Sequence, residues 1–155
     1  MNDLNNIKLK KVKTEEEINV FVNFKIELVK YHEQFASIIG LEDDVVKNYD
    51  RKDAMKTIGK SNYYQFLIEY NNKDIGLLEY QMKKSKIDNQ KILYIKKLFI
   101  SDKYRGKGIG KAIMNELKKK KYRIELECWY NMPSNEFYKS LGMKEIKTCY
   151  MLDVK

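Results

Sequence analysis

The 155-residue sequence has little cysteine, little proline and no long apolar run, and each scarcity excludes a class of protein. The two cysteines, Cys128 and Cys149, match no metal-ligand spacing and could form one disulfide at most, so we expect free, buried thiols in a reducing cytoplasm and no metal site. With a lone proline, Pro133, and no Pro- or Gly-rich linker, residues 1–155 are expected to form a single domain. No apolar run approaches the ~20 residues of a membrane span, and the N-terminal stretch lacks the apolar core of a secretory signal. We therefore expect a cytoplasmic protein without a membrane partner.

Arginine is also scarce, although the formal net charge is +9: only Arg51, Arg105 and Arg123 stand among the 31 basic residues. Lysine, asparagine, isoleucine and tyrosine are plentiful, as expected from an AT-rich coding sequence, so nucleotide bias explains much of the charge. A basic protein attracts anionic ligands over a long range, but its charge does not choose among them. The basic run Lys118–Lys121 is typical of a solvated helix end. The hypothesis of a nucleic-acid-binding protein would rest on the net charge alone, so we expect no nucleic-acid partner.

The periodicity of apolar residues predicts an α+β domain with a mixed sheet. Thr14, with Glu17 three residues on, has the capping-box signature of a first helix, and the acidic residues 42–44 suit the positive end of a second one. Aromatic and β-branched runs on both sides of Asn71–Asp74 predict a hairpin. The predicted strands cover residues 7–12, 63–70, 75–82, 92–100 and 123–129, with one or two more in 144–154, and the predicted helices cover 14–35, 41–58, 109–120 and 134–140.

The stretch YRGKGIGKA, residues 104–112, places three glycines and three cations between a predicted strand and a predicted helix. Amides at a helix N-terminus bind anions, and glycines let such a backbone approach a ligand without a Cβ in the way. The spacing of Gly106, Gly108 and Gly110, with Lys111 before an alanine, fits neither a Walker A loop nor a dinucleotide fingerprint. The stretch therefore predicts a site for a phosphate or a pyrophosphate, the alternative being a flexible turn with incidental glycines.

Three motifs in the second half of the chain resemble the GCN5-related N-acetyltransferases (GNAT). Arg105–Gly110 resembles the family's [QR]-x-x-G-x-[GA] loop. Leu98–Ile100 resembles the L-x-V strand end that precedes this loop. Asn131 and Tyr138, followed by Leu-Gly-Met, resemble the N-x₆-Y-x₂-LGF segment, with Met143 in place of the usual aromatic residue.

The resemblance is close over residues 92–147, and the order of elements matches over nearly the whole chain. It implies an acyl-CoA N-acyltransferase (GNAT-like) fold, whose mixed and mostly antiparallel sheet has flanking helices and a splay between the fourth and fifth strands. It also implies acetyl-CoA as cosubstrate, no metal, and a small-molecule or peptide amine as acceptor. Dimers are common among such proteins, so a homodimer is a further expectation.

The resemblance also assigns roles to individual residues. Asn131 would contact the pantetheine arm of the cofactor, and Tyr138 would protonate the departing thiolate. A backbone amide at Leu98 would stabilise the oxyanion that forms from the thioester. A capping role for Asn131 and a packing role for Tyr138 are the alternatives. The implied cofactor-binding residues are Leu98, Phe99, Ile100, Arg105, Gly106, Lys107, Gly108, Ile109, Gly110, Lys111, Asn131 and Tyr138.

One departure concerns the base. The family often has acidic residues just before the L-x-V leucine, where this chain has Lys96 and Lys97. An alkylammonium with a pKa of ~10 must lose a proton before it attacks, so Glu79, His32 and Glu33 become candidate bases. A solvent-facing role for Glu79 and a packing role for His32 are the simpler alternatives. The loss of the strand acids argues against a polyamine and favours an amine that carries a negative group.

Two functions therefore follow from the sequence. The first is an acetyl-CoA-dependent N-acetyltransferase that acts on a primary amine by direct attack in a ternary complex. The alternative is a non-catalytic acyl-CoA-binding module, for which the missing strand acids are the best support and the intact Tyr138 is the evidence against.

Overall fold

A five-stranded mixed sheet lies at the centre of the computed structural model, which describes residues 4–41 and 48–154. The strands follow one another in chain order across the sheet, and the first four are antiparallel. The fifth is parallel to the fourth. The strands are β1 (Ile7–Lys11), β2 (Tyr63–Tyr70), β3 (Lys73–Lys84), β4 (Lys91–Ile100) and β5 (Arg123–Leu126). The predicted α+β fold with a mixed, mostly antiparallel sheet is confirmed.

Helices flank both faces of the sheet. Thr14 and Glu17 form the predicted capping box, in which each side chain accepts a hydrogen bond from the other residue's backbone amide. The box satisfies amides that the first helical turn leaves without partners. The helices are α1 (Glu15–Ile38), α2 (Arg51–Met55), α3 (Ile109–Lys118) and α4 (Ser134–Ser140).

The core has one apolar cluster on each face of the sheet. On one face, Phe21 and Leu28 of α1 pack against three sheet residues, Leu67, Leu77 and Phe99. On the other face the buried stripe of α3, with Ile109, Ile113, Met114 and Leu117, packs against Ile68, Leu78, Tyr80, Leu93 and Ile95. Because side chains alternate along a strand, neighbouring residues of β3 and β4 serve opposite clusters.

The predicted hairpin is present, with a shorter turn than the tetrad in the sequence. Asn71 and Asn72 both have positive φ values, 50° and 63°, and β3 begins at the next residue. Two successive positive φ values are the geometry of a two-residue turn that matches the twist of its strands, and asparagine tolerates this conformation better than most residues.

Three predicted elements differ from the structure. The acidic residues 42–44 lie outside the described residues, and the described part of the predicted second helix contains only α2, which is capped by Asp50. The strand that begins at Arg123 ends at Leu126, three residues before Trp129. Residues 144–154 form no strand, and all of them are exposed, so the expected burial of the Cys149 thiol is also wrong. A strand forms only where a neighbouring strand supplies hydrogen bonds, and none lies beside this segment in the described part of the chain.

A buried ion pair joins α1 to the sheet. Lys25 Nζ lies 3.2 Å from Glu79 Oε1, and both residues are at most 3% exposed. Thr57 Oγ1 donates a 2.6 Å hydrogen bond to Glu79 Oε2, and Gln65 Nε2 donates to the same oxygen. Lys25 also donates to Thr57 Oγ1 and to the carbonyl oxygen of Ala54. Burial lowers the pKa of Lys25 and Glu79 opposes that effect. The cluster therefore connects α1, the segment after α2, and strands β2 and β3.

Replacement of Glu79 tests how much this pair contributes. Glu79→Gln leaves the Lys25 charge buried without a counter-charge, so we expect the free energy of unfolding in urea to fall by about 3–5 kcal/mol. The matched control is Glu69→Gln on β2, because Glu69 pairs with Lys10 at 3.5 Å where both side chains are partly exposed. That change is expected to cost less than about 1 kcal/mol. Equal losses in the two variants would contradict a structural role for the buried pair.

Candidate functional site

Strand β4 extends beyond its neighbour β5, which opens the sheet at one edge. The parallel pairing runs from Ile92 opposite Arg123 to Ile95 opposite Leu126, whereas β4 continues to Ile100. The opening coincides with a bulge, because the register with β3 skips Lys96. Bulges bend a strand and interrupt its pairing. The β5-facing backbone of residues 96–100 is therefore an edge to which an extended ligand can add.

The glycine loop delivers a helix N-terminus beside this edge. Gly106 and Gly108 have φ values of 72° and 83°, which favour glycine, and Gly108 is the N-cap of α3. The first helical hydrogen bond runs from the Ala112 amide to the Gly108 carbonyl. Within residues 4–41 and 48–154, no backbone carbonyl accepts a hydrogen bond from the amide of Gly106 or from the amides of residues 108–111. These amides and the positive end of the helix dipole form an anion cradle.

The third glycine of the loop has a packing role. A Cβ at Gly110 would lie 3.0 Å from Phe137 Cζ and 3.7 Å from Ile100 Cδ1. The start of α3 thus packs directly against α4, the helix that carries Tyr138.

Arg105 contacts α1 and β4. Its Nε donates a 2.7 Å hydrogen bond to the Ile100 carbonyl, and its guanidinium pairs with Asp102. The guanidinium also lies over the rings of Tyr31 and Phe99, 4.7 Å and 5.3 Å from their centroids. The Arg105 amide donates to the Asp102 carbonyl. In this arrangement Arg105 fixes the base of the loop, and the anion-binding groups of the loop are main-chain amides.

Tyr138 is half-buried on α4. Burial raises the pKa of Tyr138 to about 12, with a smaller contribution from nearby Cys128. The phenol is therefore protonated throughout the physiological range, so it can donate a proton but cannot act as a base. Its ring lies 5.2 Å from that of Phe137.

Asn131 connects the segment after β5 to the end of α1. Its Nδ2 donates a 2.9 Å hydrogen bond to the Phe35 carbonyl. Its Oδ1 is buried and has no hydrogen-bond partner in the described part of the chain. Buried polar atoms are normally paired, so this oxygen is an acceptor available to a ligand.

The candidate bases occupy different environments. The carboxylate of Glu79 is buried in the ion pair with Lys25. His32 is half-buried, and its ring lies 5.9 Å from that of Trp129. Burial, and secondarily the charge of Lys97, lowers the pKa of His32 to about 4, so its imidazole is neutral at neutral pH. Glu33 is the next residue of α1 and is half-buried.

Sequence reasoning missed Lys25 as a partner of Glu79. A signal was present, because Lys25 lies four residues after Phe21 and three before Leu28 and so falls on the apolar stripe of α1. A lysine at such a position requires a buried partner. The partner itself lies 54 residues away in the chain, and the sequence does not identify it.

Residues 4–41 and 48–154 contain neither a metal-ligand cluster nor a membrane-spanning helix. No group of three or more His, Cys, Asp or Glu residues could hold a metal ion there. No helix in the same ranges is long and apolar enough to cross a bilayer.

Comparison with known proteins identifies relatives of this site and fold. A family model described as an acetyltransferase (GNAT) domain matches residues 61–145. An uncharacterized N-acetyltransferase of Methanocaldococcus jannaschii is 33% identical over 87 residues, which are 52% of this chain and 38% of that protein. The chain therefore spans well under half the length of this curated relative.

Solved structures share the fold at low sequence identity. A possible acetyltransferase from Clostridium difficile 630 is 19% identical with a TM-score of 0.68, covering 96% of this chain and 98% of the other. A putative acetyl transferase from Pyrococcus furiosus is 16% identical with a TM-score of 0.72, covering 96% and 99%. An aminoglycoside acetyltransferase from an uncultured soil metagenomic sample, in complex with sisomicin, is 17% identical with a TM-score of 0.61, covering 97% and 98%.

The single histidine of the chain permits a direct test of the site's electrostatics. We expect the His32 imidazole to titrate near pH 4 by NMR, well below the ordinary ~6.5. The pKa of His32 is lower in the folded than in the unfolded protein, so the unfolded protein takes up the proton first as the pH falls. The stability that the neutral imidazole contributes is therefore fully present above pH ~6.5 and is lost as the pH falls toward 4. The loss is at most about 1.4 kcal/mol per pH unit. In the variant His32→Gln, the free energy of unfolding should fall less between pH ~6.5 and 4 than in the wild type, because no imidazole is present to take up a proton. Titration of His32 near 6.5 would show a solvated imidazole and contradict the described burial.

Proposed function

Because the chain belongs to the GNAT acetyltransferase family, we propose that it transfers the acetyl group of acetyl-CoA to a primary amine. The attack is direct, within a ternary complex that holds amine and thioester together. The observation that carries this proposal is the cradle of unpaired amides at the start of α3, next to an edge of β4 that β5 leaves open.

The main chain supplies most of the cofactor site. The amides of Gly106 and of residues 108–111 would hold the pyrophosphate, and the cations Lys107 and Lys111 would add to the positive potential. The open backbone at Leu98 would accept the pantetheine arm as an added strand, with Phe99 and Ile100 beside it. The Phe99 carbonyl faces Gly76 of β3, and the Ile100 carbonyl already accepts from Arg105. Acetyl-CoA, when bound, supplies an activated acyl group as a thioester.

Asn131 and Tyr138 would complete the site. The unpaired Oδ1 of Asn131 is suited to accept a hydrogen bond from an amide N–H of the pantetheine arm. Tyr138, which is protonated at neutral pH, would donate a hydrogen bond to the departing sulfur as the carbon–sulfur bond breaks. Because the thiol, with a pKa of ~8.5, is a stronger acid than this phenol, the hydrogen bond stabilises the leaving thiolate and full proton transfer is not required. An amide at Leu98 would stabilise the oxygen of the reacting carbonyl.

The candidate bases contribute less than their sequence positions suggest. Glu79 is engaged by Lys25 and Thr57, so we propose that it positions β3 and α1 and takes no proton from the acceptor. His32, with a pKa of about 4, is a weak base. We therefore propose that the acceptor reacts as the free amine and that water carries away its proton. The rate should then rise with pH toward the pKa of the amine.

The absence of an efficient base among these candidates also supports a second function, a non-catalytic acyl-CoA-binding module. Release of free coenzyme A from acetyl-CoA, followed with a panel of amines that includes small molecules and short peptides, separates the two. Acetyl-CoA binding without thiol release for any amine would favour the module, whereas amine-dependent release would establish the enzyme.

The glycine loop can be tested by adding one methyl group. Gly106→Ala places a Cβ at a left-handed residue with no atom within 4 Å, so we expect a stability loss of about 1–2 kcal/mol. The same Cβ intrudes on the cradle, so the Kd for acetyl-CoA in calorimetry should rise about tenfold or more. The matched control, Gly59→Ala, has a similar φ of +80° and equally open surroundings but lies outside the loop. It should lose similar stability and keep wild-type affinity. Similar affinities in both variants would rule out the cradle.

Removal of one oxygen atom tests the proposed acid. Tyr138→Phe should lower kcat by about 10²-fold and leave the Kd for acetyl-CoA nearly unchanged, because packing is kept while the proton donor is lost. Tyr130→Phe is the control, since Tyr130 is 82% exposed. With a Tyr138 pKa of about 12, the wild-type rate should show no decline from loss of this proton up to about pH 10. Wild-type kcat in Tyr138→Phe would exclude the role.

A further inference from the structure

Lys97 lies where the sheet opens, on the face covered by α1. Two residues further along β4, Phe99 packs with Phe21 and Leu28 of α1, and alternate residues of a strand share a face. The preceding residue, Lys96, is the bulge residue, and the last residue pair of β4 with β5 lies just before it. Lys97 is thus the first residue of β4 beyond the bulge and beyond the last residue pair with β5.

Lys97 has no acidic partner in the described part of the chain. Glu79 is its neighbour in the register with β3, yet the Glu79 carboxylate is held by Lys25, Thr57 and Gln65. No ion pair of Lys97 occurs within residues 4–41 and 48–154. Lys97 is half-buried, and burial lowers its pKa, as does the charge of Lys25 to a smaller extent. The charge of Glu79 raises the pKa of Lys97, but by less than Lys25 lowers it. A cation removed from water without a counter-ion is costly, and an anion beside it would offset that cost.

The groups around Lys97 leave its charge in excess. Its charge acts on His32, whose imidazole is neutral at neutral pH and whose ring lies 5.9 Å from that of Trp129. Lys25 and Glu79 neutralise each other, so Lys97 adds one uncompensated positive charge. Lys97 at the opening of the sheet thus combines an uncompensated charge with a neutral imidazole within reach of that charge, and the imidazole lies beside the indole of Trp129.

We propose that Lys97 binds an oxyanion carried by the acceptor, so that the substrates are amines with a nearby carboxylate or phosphate group. This inference rests on the proposed function, because it concerns the acceptor of the same reaction. The oxyanion would provide the counter-charge that Lys97 lacks, whereas a polyamine would meet repulsion from Lys97 and from Lys96 next to it. Lys97 is thus a specificity-determining residue.

The test compares amines that differ in one charged group. The pairs are glycine and glycinamide, β-alanine and β-alaninamide, and phosphoethanolamine and ethanolamine, with spermidine as the polyamine. The charged member of at least one pair should have a kcat/KM at least tenfold higher in the wild type, chiefly through a lower KM. The first two pairs report a carboxylate and the third a phosphate.

Three variants assign the preference to Lys97. Lys97→Gln should reduce the preference to about one, chiefly by raising the KM of the charged member, and Lys97→Arg should retain most of the preference, since it retains the charge. Lys96→Gln is the control: it removes the same charge from the adjacent residue, whose exposed side chain lies 5.4 Å from the Tyr94 ring centroid. A loss of preference in Lys96→Gln equal to that in Lys97→Gln would overturn the assignment.

The NMR titration of His32 tests the same proposal without turnover. An oxyanion bound at Lys97 offsets the charge that lowers the His32 pKa, so β-alanine should raise that pKa and β-alaninamide should not. The shift should be absent in Lys97→Gln. If uncharged amines or spermidine react as fast as the charged ones, and the His32 pKa does not respond, the oxyanion proposal is wrong while the acetyltransferase stands. If no amine releases coenzyme A although β-alanine shifts His32, the proposed reaction is wrong and the oxyanion site stands.

Discussion

The candidate site depends on one constraint, which is that β4 is longer than the strand beside it. Parallel pairing ends at Ile95 and Leu126, and the remaining residues of β4 have a strand neighbour on only one side. An unpaired strand edge ordinarily favours aggregation, because its free N–H and C=O groups can form hydrogen bonds with a strand of another chain. Here the chain continues from that edge into the glycine loop and α3, so the open edge and the free amides of a helix N-terminus are only a few residues apart.

The chemistry of this arrangement resides largely in the main chain. Arg105, the most conspicuous cation of the loop in the sequence, is engaged by Asp102 and by the carbonyl of Ile100. Its stacking on Tyr31 and Phe99 connects the loop to α1. A side chain fixed in this way holds the backbone in position, and a pre-formed backbone needs little reorganisation when an anion arrives. If the amides bind the anion as proposed, the positive φ values of Gly106 and Gly108 would matter more for binding than any side chain of the loop.

The sequence predicted the local features of this fold and missed those that join distant residues. The Thr14 capping box, the hairpin at Asn71 and Asn72, and the glycine loop are each encoded within a few neighbouring residues, so their patterns were readable. The ion pair between Lys25 and Glu79 joins residues far apart in sequence, and only the packed structure brings them together. The predicted strands in 144–154 are wrong for a related reason, because a local stretch of sequence does not supply the neighbouring strand that pairing requires.

The two lysines near the sheet opening show why net charge says little about function in this protein. A net charge of +9 spread over exposed lysines is screened by salt and does not direct a ligand to any particular site. Lys25 and Lys97 differ from those lysines because Lys25 is buried and Lys97 is half-buried, both near Glu79. A single carboxylate cannot neutralise two cations. The Glu79 carboxylate contacts Lys25, Thr57 and Gln65, and these contacts form a structural cluster. Lys97, at the residue where the sheet opens, is left without an ion pair in the described part of the chain. In the proposed site this local excess of charge would select an anionic acceptor, which the screened charge of exposed lysines cannot do.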